Sequence, residues 1–465
     1  MHHMFFALVA FALASPVAAQ PLTPSEQTAI DTLVAKTLEK TSVPAASIAV
    51  VRDGKIVLAK AYGKASDRLG SATSTMPFQI ASNSKQFIAS ALQLLEDDGK
   101  LDLDDKVSKW APEVTRAGDM TIRQLLNHTS GLQDYWPQDF DFAAMATPTD
   151  PKGIIARWAR KPLDYEPGTR WQYSNTGYVV AGQIIEKASG MPLMAFLAKR
   201  IFEPLGMGPL NIDDSNTPAF PAGHHRFVTG PVRPAKAPAR GWLYSAGELS
   251  MTATDLARWD IARLNRTLLS RGDWEDQEAP TILKDGTTTG YGLGVSGGIS
   301  SGRRFINHGG ESTGFLSQNT VYPDSRAAIV VLTNADFGDV TDPLTAGIAD
   351  IVIPKAAATT NGEGDRVGDA TALFAMLRGG ILDRSKLTEN GNFYFNDTAL
   401  GDYRSSLSDL GDPTAVELLR PPRLRGGFVN RVFRVRFEGE KSVVISTYAE
   451  PGANGRWEQF IVQPD

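Results

Sequence analysis

The sequence predicts an α+β fold: an antiparallel sheet flanked by helices, split by a helical insert, with a small C-terminal α+β domain behind it. Three observations carry this. β-rich runs stand at both ends of the first 355 residues, while 100–270 reads as helical pieces joined by Pro- and Gly-bearing loops. A polar, small-residue stretch, KAAATTNGEGDRVGD at 355–369, then marks a linker. Behind it lie a helical run and several alternating runs, Val432–Phe437 among them. At 465 residues and 42% hydrophobic content, the chain is long enough for two to four domains with cores of their own.

Taken in order, residues 1–19 read as a secretory signal. An apolar run of about a dozen residues, MFFALVAFALA, is broken by Ser15-Pro16, and Val17-Ala18-Ala19 supplies a small-residue cleavage site before Gln20. The run is too short to span a bilayer core of ~30 Å. The expected location is therefore periplasmic or secreted, with no membrane span once the signal is removed. Thr23-Pro24-Ser25-Glu26 is a capping box: Thr23 as N-cap, Pro24 at the first helical position, Glu26 at the third. Residues 47–51 and 55–62 form a hairpin about Asp53-Gly54. A helix is predicted over 84–96, with Phe87, Ile88, Ala91, Leu92 and Leu95 on one face. Strands are predicted at 291–296, 304–308, 318–322 and 327–333, with a turn at Asp324-Ser325-Arg326 and a closing helix at 342–352. The expected domains are 1–19 signal peptide, 20–355 main domain, 356–369 linker and 370–465 C-terminal domain. Residues 366–465 hold 13 Lys and Arg against 13 Asp and Glu, so the net charge of -5 belongs to the part of the chain before them. Six arginines between Arg420 and Arg436 fit the solvent face of a curved sheet better than a binding patch.

Composition narrows the chemistry. With no cysteine there is no thiol nucleophile, thiolate metal site or disulfide. Mild acidity argues against nucleic-acid partners. Only His128, His224, His225 and His308 lie beyond the signal. The adjacent His224-His225 pair cannot converge on one metal from a regular helix, and no H-E-x-x-H occurs. No cofactor is called for, and the partner expected is a small peptide, amide, ester or β-lactam substrate. The sequence leaves the oligomeric state open.

Three short motifs are chemically apt. Ser82-Asn83-Ser84-Lys85 lies where strand-like residues lead into the helix, which places Ser82 and Lys85 about one turn apart on one face. A serine hydroxyl needs a group to take its proton, and a desolvated lysine amine can do so. Tyr173-Ser174-Asn175 offers a phenol for proton transfer and an amide for a substrate. A rival Tyr394-Phe395-Asn396 in the tail reads as a strand end. His308-Gly309-Gly310-Glu311 closes a strand where bare backbone lets a ligand lie alongside. There the N–H of Glu311 is expected to join that of Ser82 in an oxyanion hole. A decoy follows at once: Gly310-Glu311-Ser312-Thr313-Gly314 matches the G-x-S-x-G nucleophile elbow. That elbow requires a strand, a turn, a helix and a later histidine, and none follows Ser312.

Together with Leu126-Asn127-His128-Thr129-Ser130-Gly131-Leu132, Glu166-Pro167-Gly168-Thr169 and the segment 241–259, these motifs resemble the penicillin-recognising serine hydrolases. The nearest resemblance is to the class C β-lactamase-like branch of β-lactamases, D-alanyl-D-alanine carboxypeptidases, D-aminopeptidases and related esterases. It covers about residues 25–355 and implies a β-lactamase/transpeptidase-like fold. It further implies an acyl-enzyme on Ser82, proton exchange with Lys85 and Tyr173, substrate binding by Asn175, and a third-motif position at His308, Gly309, Gly310 and Glu311. His308 stands where β-lactamases usually carry Lys, a variant similar to that of D-specific peptidases. Hydrolysis of amides or D-amino-acid peptides is the first expectation. A carboxylesterase and a penicillin-binding sensor with little turnover stand as alternatives.

Overall fold

The computed structural model describes residues 20–138, 140–353, 366–419, 422–425, 427–452 and 454–465. The predicted signal at 1–19 lies outside the described residues, as does most of the predicted linker. The part that is described, 366–369, is not a linker: it is the first turn of a helix.

The described residues divide into two compact units, 20–298 with 305–353 and 299–304 with 366–465. In the first, α1 (Pro24–Thr41) starts on the predicted capping box, with Thr23 and Glu26 bonded reciprocally. It leads into β1 (Ala45–Arg52) and β2 (Lys55–Ser66), whose turn takes positive φ at Asp53 and Gly54. After β3 (Gly70–Ser71), α2 (Lys85–Asp97) and α3 (Asn175–Ser189) belong to the insert, as does α4 (Ala253–Asn265). The chain returns through β4 (Ser296–Ser300), β5 (Arg303–Ser312), β6 (Phe315–Tyr322) and β7 (Ala327–Thr333), and α5 (Thr341–Val352) follows. The seven strands form one sheet in the order β3-β2-β1-β7-β6-β5-β4, so the two ends of this unit meet at the β1–β7 pair.

The central strands are apolar throughout because both of their faces are covered. In β1, Ala45, Ala49 and Val51 pack into the core shared with the helical insert, while Ala46, Ile48 and Val50 face α1 and α5. In β7, Ala328, Val330 and Leu332 divide from Ala327, Ile329 and Val331 in the same way.

One predicted strand is absent. Residues 291–295 form a tight loop closed by a bridge between Tyr291 and Ser296, and the strand begins only at Ser296. Glycine overrides β propensity here: Gly294 takes φ +73° and lies against the Lys85 carbonyl, where a Cβ would come within 2.7 Å. The other strands predicted in this unit are present: 327–333 keeps its predicted bounds as β7, while 47–51, 55–62, 304–308 and 318–322 lengthen into β1, β2, β5 and β6.

In the second unit, helices Arg366–Gly379 and Asp397–Leu407 accompany a five-stranded sheet with Phe428–Arg436 at its centre. Tyr394-Phe395-Asn396 is not a strand end. Tyr394 closes a short helix, and Asn396 caps the next one by accepting from the Ala399 N–H. Of the arginines whose side chains are described, Arg434 and Arg436 pair with Asp465 and Glu417, while Arg431 is buried. No helix among the described residues is long and apolar enough to cross a membrane.

Candidate active site

The S-x-x-K motif sits on a 3-10 turn, Ala81–Ser84, that runs directly into α2. Leu249 holds the turn at both ends: its carbonyl accepts from the Ile80 N–H at 3.0 Å, and its N–H donates to Ser84 Oγ at 3.2 Å. Ala81, the residue before Ser82, has φ +46°. A left-handed conformation at a residue with a Cβ costs about 1–2 kcal/mol, and such strain collects at functional turns. Ser82 is half-buried and faces a cavity of about 860 Å³.

Lys85 is fully buried, with three oxygen neighbours on its amine: Ser82 Oγ at 3.0 Å, Asn175 Oδ1 at 2.8 Å and the Ala246 carbonyl at 2.6 Å. Burial lowers its pKa to about 7, against the opposing pull of the Asp134 carboxylate. The free base is thus accessible near neutral pH. Tyr173 lies under the same amine, with Nζ 4.8 Å from the ring centroid. Its phenol shifts the other way: burial raises it, and the Ser82 contact only partly offsets this. The neighbouring lysine therefore does not make Tyr173 acidic. Of the two side chains, Lys85 is the one whose ordinary range has been brought to neutrality.

Asn175 begins α3, where Ser174 caps the helix. Its amide is oriented from behind by Asp134, which accepts the Asn175 N–H at 3.0 Å on Oδ1 and Nδ2 at 3.2 Å on Oδ2. With Nδ2 held there, Oδ1 points at Lys85. The sequence reading missed Asp134. The available signal was its isolation: it is the sole carboxylate between Asp119 and Asp139, in the loop directly after Gly131-Leu132.

His308 is 7% exposed, and the protein occupies both of its ring nitrogens. Nδ1 faces the Gly309 carbonyl, so it carries the proton; Nε2 then accepts from the Tyr291 hydroxyl at 2.8 Å. Burial, reinforced by Lys85, lowers its pKa to about 4, so the ring is neutral at pH 7. His308, Gly309 and Gly310 are not among the residues lining the cavity, whereas Glu311 is. The structure thus brings Ser82, Lys85, Tyr173 and Asn175 into one cluster. It sets His308 beside them, with its ring 6.4 Å from that of Tyr173. His128 accepts the Ser174 N–H on Nδ1 at 3.1 Å, and its ring lies 4.2 Å from that of Tyr173, tilted by 36°. It anchors the loop rather than facing the cavity.

Ser312 ends β5 and leads through Thr313-Gly314 into another strand, not a helix. Its hydroxyl donates to Gln79 Oε1 at 2.8 Å. The elbow geometry is absent. Farther out, Phe140 and Phe227 line the cavity while remaining 68% and 69% exposed, together with Asp141, Asp336, Arg233 and Lys236. Arg233 lies in a two-residue strand, and the others lie on loops whose paths the sequence did not reveal. Among the described residues, no group of three or more His, Asp or Glu side chains could hold a metal ion.

The chain is 32% identical over 278 residues to Penicillin-binding protein 4* of Bacillus subtilis, covering 56% of this chain and 61% of that protein. It is 28% identical over 306 residues to D-aminopeptidase of Brucella anthropi, covering 63% and 57%. The match therefore spans about three fifths of each of these relatives. Among solved structures, a D-stereospecific amidohydrolase from Streptomyces sp. superposes with a TM-score of 0.59 at 27% identity, over 68% of this chain and 96% of that one. The Beta-lactamase family model matches residues 30–352, the stretch that holds the sheet, the insert and every residue of the cluster, and the chain belongs to that family.

Proposed function

We propose that this protein is a serine hydrolase that cleaves amide bonds, including those of D-amino-acid amides or peptides, through an acyl-enzyme on Ser82. The observation that carries the reading is the buried Lys85 amine, 3.0 Å from Ser82 Oγ and tuned to a pKa of about 7. As a free base, Lys85 accepts the Ser82 proton while Oγ bonds to the substrate carbonyl carbon. The negative charge that develops on the carbonyl oxygen falls to the backbone N–H groups of Ser82 and Glu311. Collapse breaks the C–N bond, and the leaving amine takes the proton from Lys85, directly or through the Tyr173 hydroxyl. Water then repeats the sequence on the ester, and Ser82 recovers its proton.

Amides are favoured over carboxylate-bearing β-lactams because the third-motif position holds a neutral ring with both nitrogens occupied. No fixed cation stands there for a substrate carboxylate. The D-aminopeptidase and amidohydrolase relatives support the same substrate class. Export through the predicted signal would place this chemistry in the periplasm or outside the cell, and the exported protein is then expected to begin at Gln20.

The test is a parallel assay of wild type and Ser82→Ala on a D-alanyl anilide, a D-Ala-D-Ala peptide, a short-chain p-nitrophenyl ester and nitrocefin, with intact-mass detection of the acyl-enzyme. Anilide turnover that disappears in Ser82→Ala supports the proposal. Equal turnover in Ser82→Ala refutes it, ester turnover alone favours the esterase, and acylation by a penicillin without turnover favours the sensor.

A further inference from the structure

The strained turn before Ser82 is held by an interaction that the chemistry above does not use. The Ile80 carbonyl, which precedes Ala81 and its φ of +46°, accepts from Ser317 Oγ at 2.7 Å. The same hydroxyl oxygen accepts from Asn83 Nδ2 at 2.8 Å, so it spans the turn from the residue two before Ser82 to the residue after it. Ser317 and Asn83 are both buried. Ser317 lies on β6 directly opposite Gly310 on β5. Gly310 completes the grip: a Cβ there would lie 2.0 Å from the Ile80 oxygen and 2.4 Å from Ser317 Oγ. The Ile80 carbonyl is therefore seated between a hydroxyl and a bare Cα, one residue before Glu311.

We propose that Ser317 is a positioning residue that holds the Ser82 turn against the 309–311 backbone and so fixes the oxyanion hole. The inference rests on the reading of Ser82 as nucleophile. The physical need is plain. A positive φ at Ala81 persists only if its surroundings over-determine it. The Ile80 carbonyl also accepts from the Asn83 N–H at 3.1 Å, the hydrogen bond of the turn itself, so Ser317 supplies a second donor from outside the turn. Without the hydroxyl, only the turn's own Asn83 N–H holds the Ile80 carbonyl, the peptide between Ile80 and Ala81 relaxes toward a less strained conformation, and that rotation re-aims the Ser82 N–H. Developing negative charge is then met by a displaced donor, while Lys85 keeps its three oxygen neighbours.

The experiment is single-turnover acylation by p-nitrophenyl acetate with enzyme in excess, as a function of pH, in wild type, Ser317→Ala, Ser317→Cys and Ser82→Ala. Each rate is normalised to the active-site titre from end-point labelling with a fluorophosphonate. For Ser317→Ala the normalised rate constant is expected to fall by roughly 10–100-fold, less than the 10²–10³ of deleting a donor outright. The acid limb of the profile should stay where it is in wild type, and Ser317→Cys should lie between the two. A lower titre with an unchanged normalised rate would make Ser317 merely structural and overturn the proposal. So would a limb that moves with the rate, since that would trace the effect to Lys85. Acylation undiminished in Ser82→Ala would instead overturn the underlying reading of the nucleophile.

Discussion

Ser82 and Ser312 line the same cavity, and each sits in a short motif associated with nucleophilic serines. What separates them is their surroundings. Ser82 Oγ has a buried, desolvated amine at 3.0 Å and a strained turn that opens into a helix. Ser312 Oγ donates a hydrogen bond to the Gln79 amide oxygen, a group with no useful basicity, at the end of a strand that turns back into a strand. A motif string reports residue types. Reactivity needs a proton acceptor of matched pKa within reach and a backbone that presents donors to the developing charge. In a glycine- and serine-rich stretch the string costs little, whereas the buried lysine and the strained turn are costly and persist only because the fold supports them.

The largest effects should fall on the Ser82 side. Ser82→Ala is expected to lower amide turnover by at least about 10³-fold, because the bond-forming oxygen is gone. Mass spectrometry of the mixture with substrate should show no acyl adduct, and an adduct on the variant would break the contrast at once. Lys85→Met should lower acylation by roughly 10²–10⁴-fold, the range for losing a positioned general base. Expressed as kcat/KM on the anilide, that loss should flatten with rising pH only to the extent that hydroxide substitutes for the amine.

Asp134→Asn sharpens the electrostatic half of the contrast. The Asp134 carboxylate is the charge that opposes the burial-driven lowering at Lys85. Replacing it with a neutral amide lowers the Lys85 pKa further, so the free base forms at lower pH. Acylation that rises through about pH 7 in wild type should therefore rise at lower pH in Asp134→Asn. The plateau should fall roughly 3–10-fold, because the Asn175 amide loses part of the acceptor that aims it. A limb that stays in place or moves to higher pH would remove Asp134 from the charge balance of the site.

Much of this site was legible in the sequence, and for physical reasons. Lys85 stands three residues after Ser82, so helix geometry alone places it within reach. The capping box at Thr23 and the turn at Asp53-Gly54 are equally local, and the structure keeps both. The alternation of β1 and β7 between two cores left a continuous apolar run, which was enough to mark them as strands. What stayed hidden depends on distant partners. Asp134 becomes functional only when its loop meets the start of α3, 41 residues on. Ser317 grips a carbonyl 237 residues away. The neutrality of His308 required the burial of its ring and the approach of Lys85, set by elements far apart in the chain. The loop at 291–295 was misread as strand because its β-like composition was weighed without the close approach of Gly294 to α2.

Ser312→Ala carries the smallest expected effect and is the most direct attempt to overturn the contrast. The substitution removes a buried hydroxyl and leaves Gln79 Oε1 without that donor, though Gln79 still donates from Nε2 to Asn216 Oδ1 at 2.6 Å. An unpaired buried acceptor costs about 1–3 kcal/mol. The effect should therefore appear as a thermal midpoint lowered by a few degrees, while kcat/KM on the anilide stays within about threefold of wild type. Because Ser312 lines the cavity, a change confined to KM is compatible with contact to substrate. A collapse of kcat equal to that of Ser82→Ala, with the fold intact, is not. It would mean that the strand end, and not the helix start, supplies the nucleophile, and that the buried lysine serves some other end.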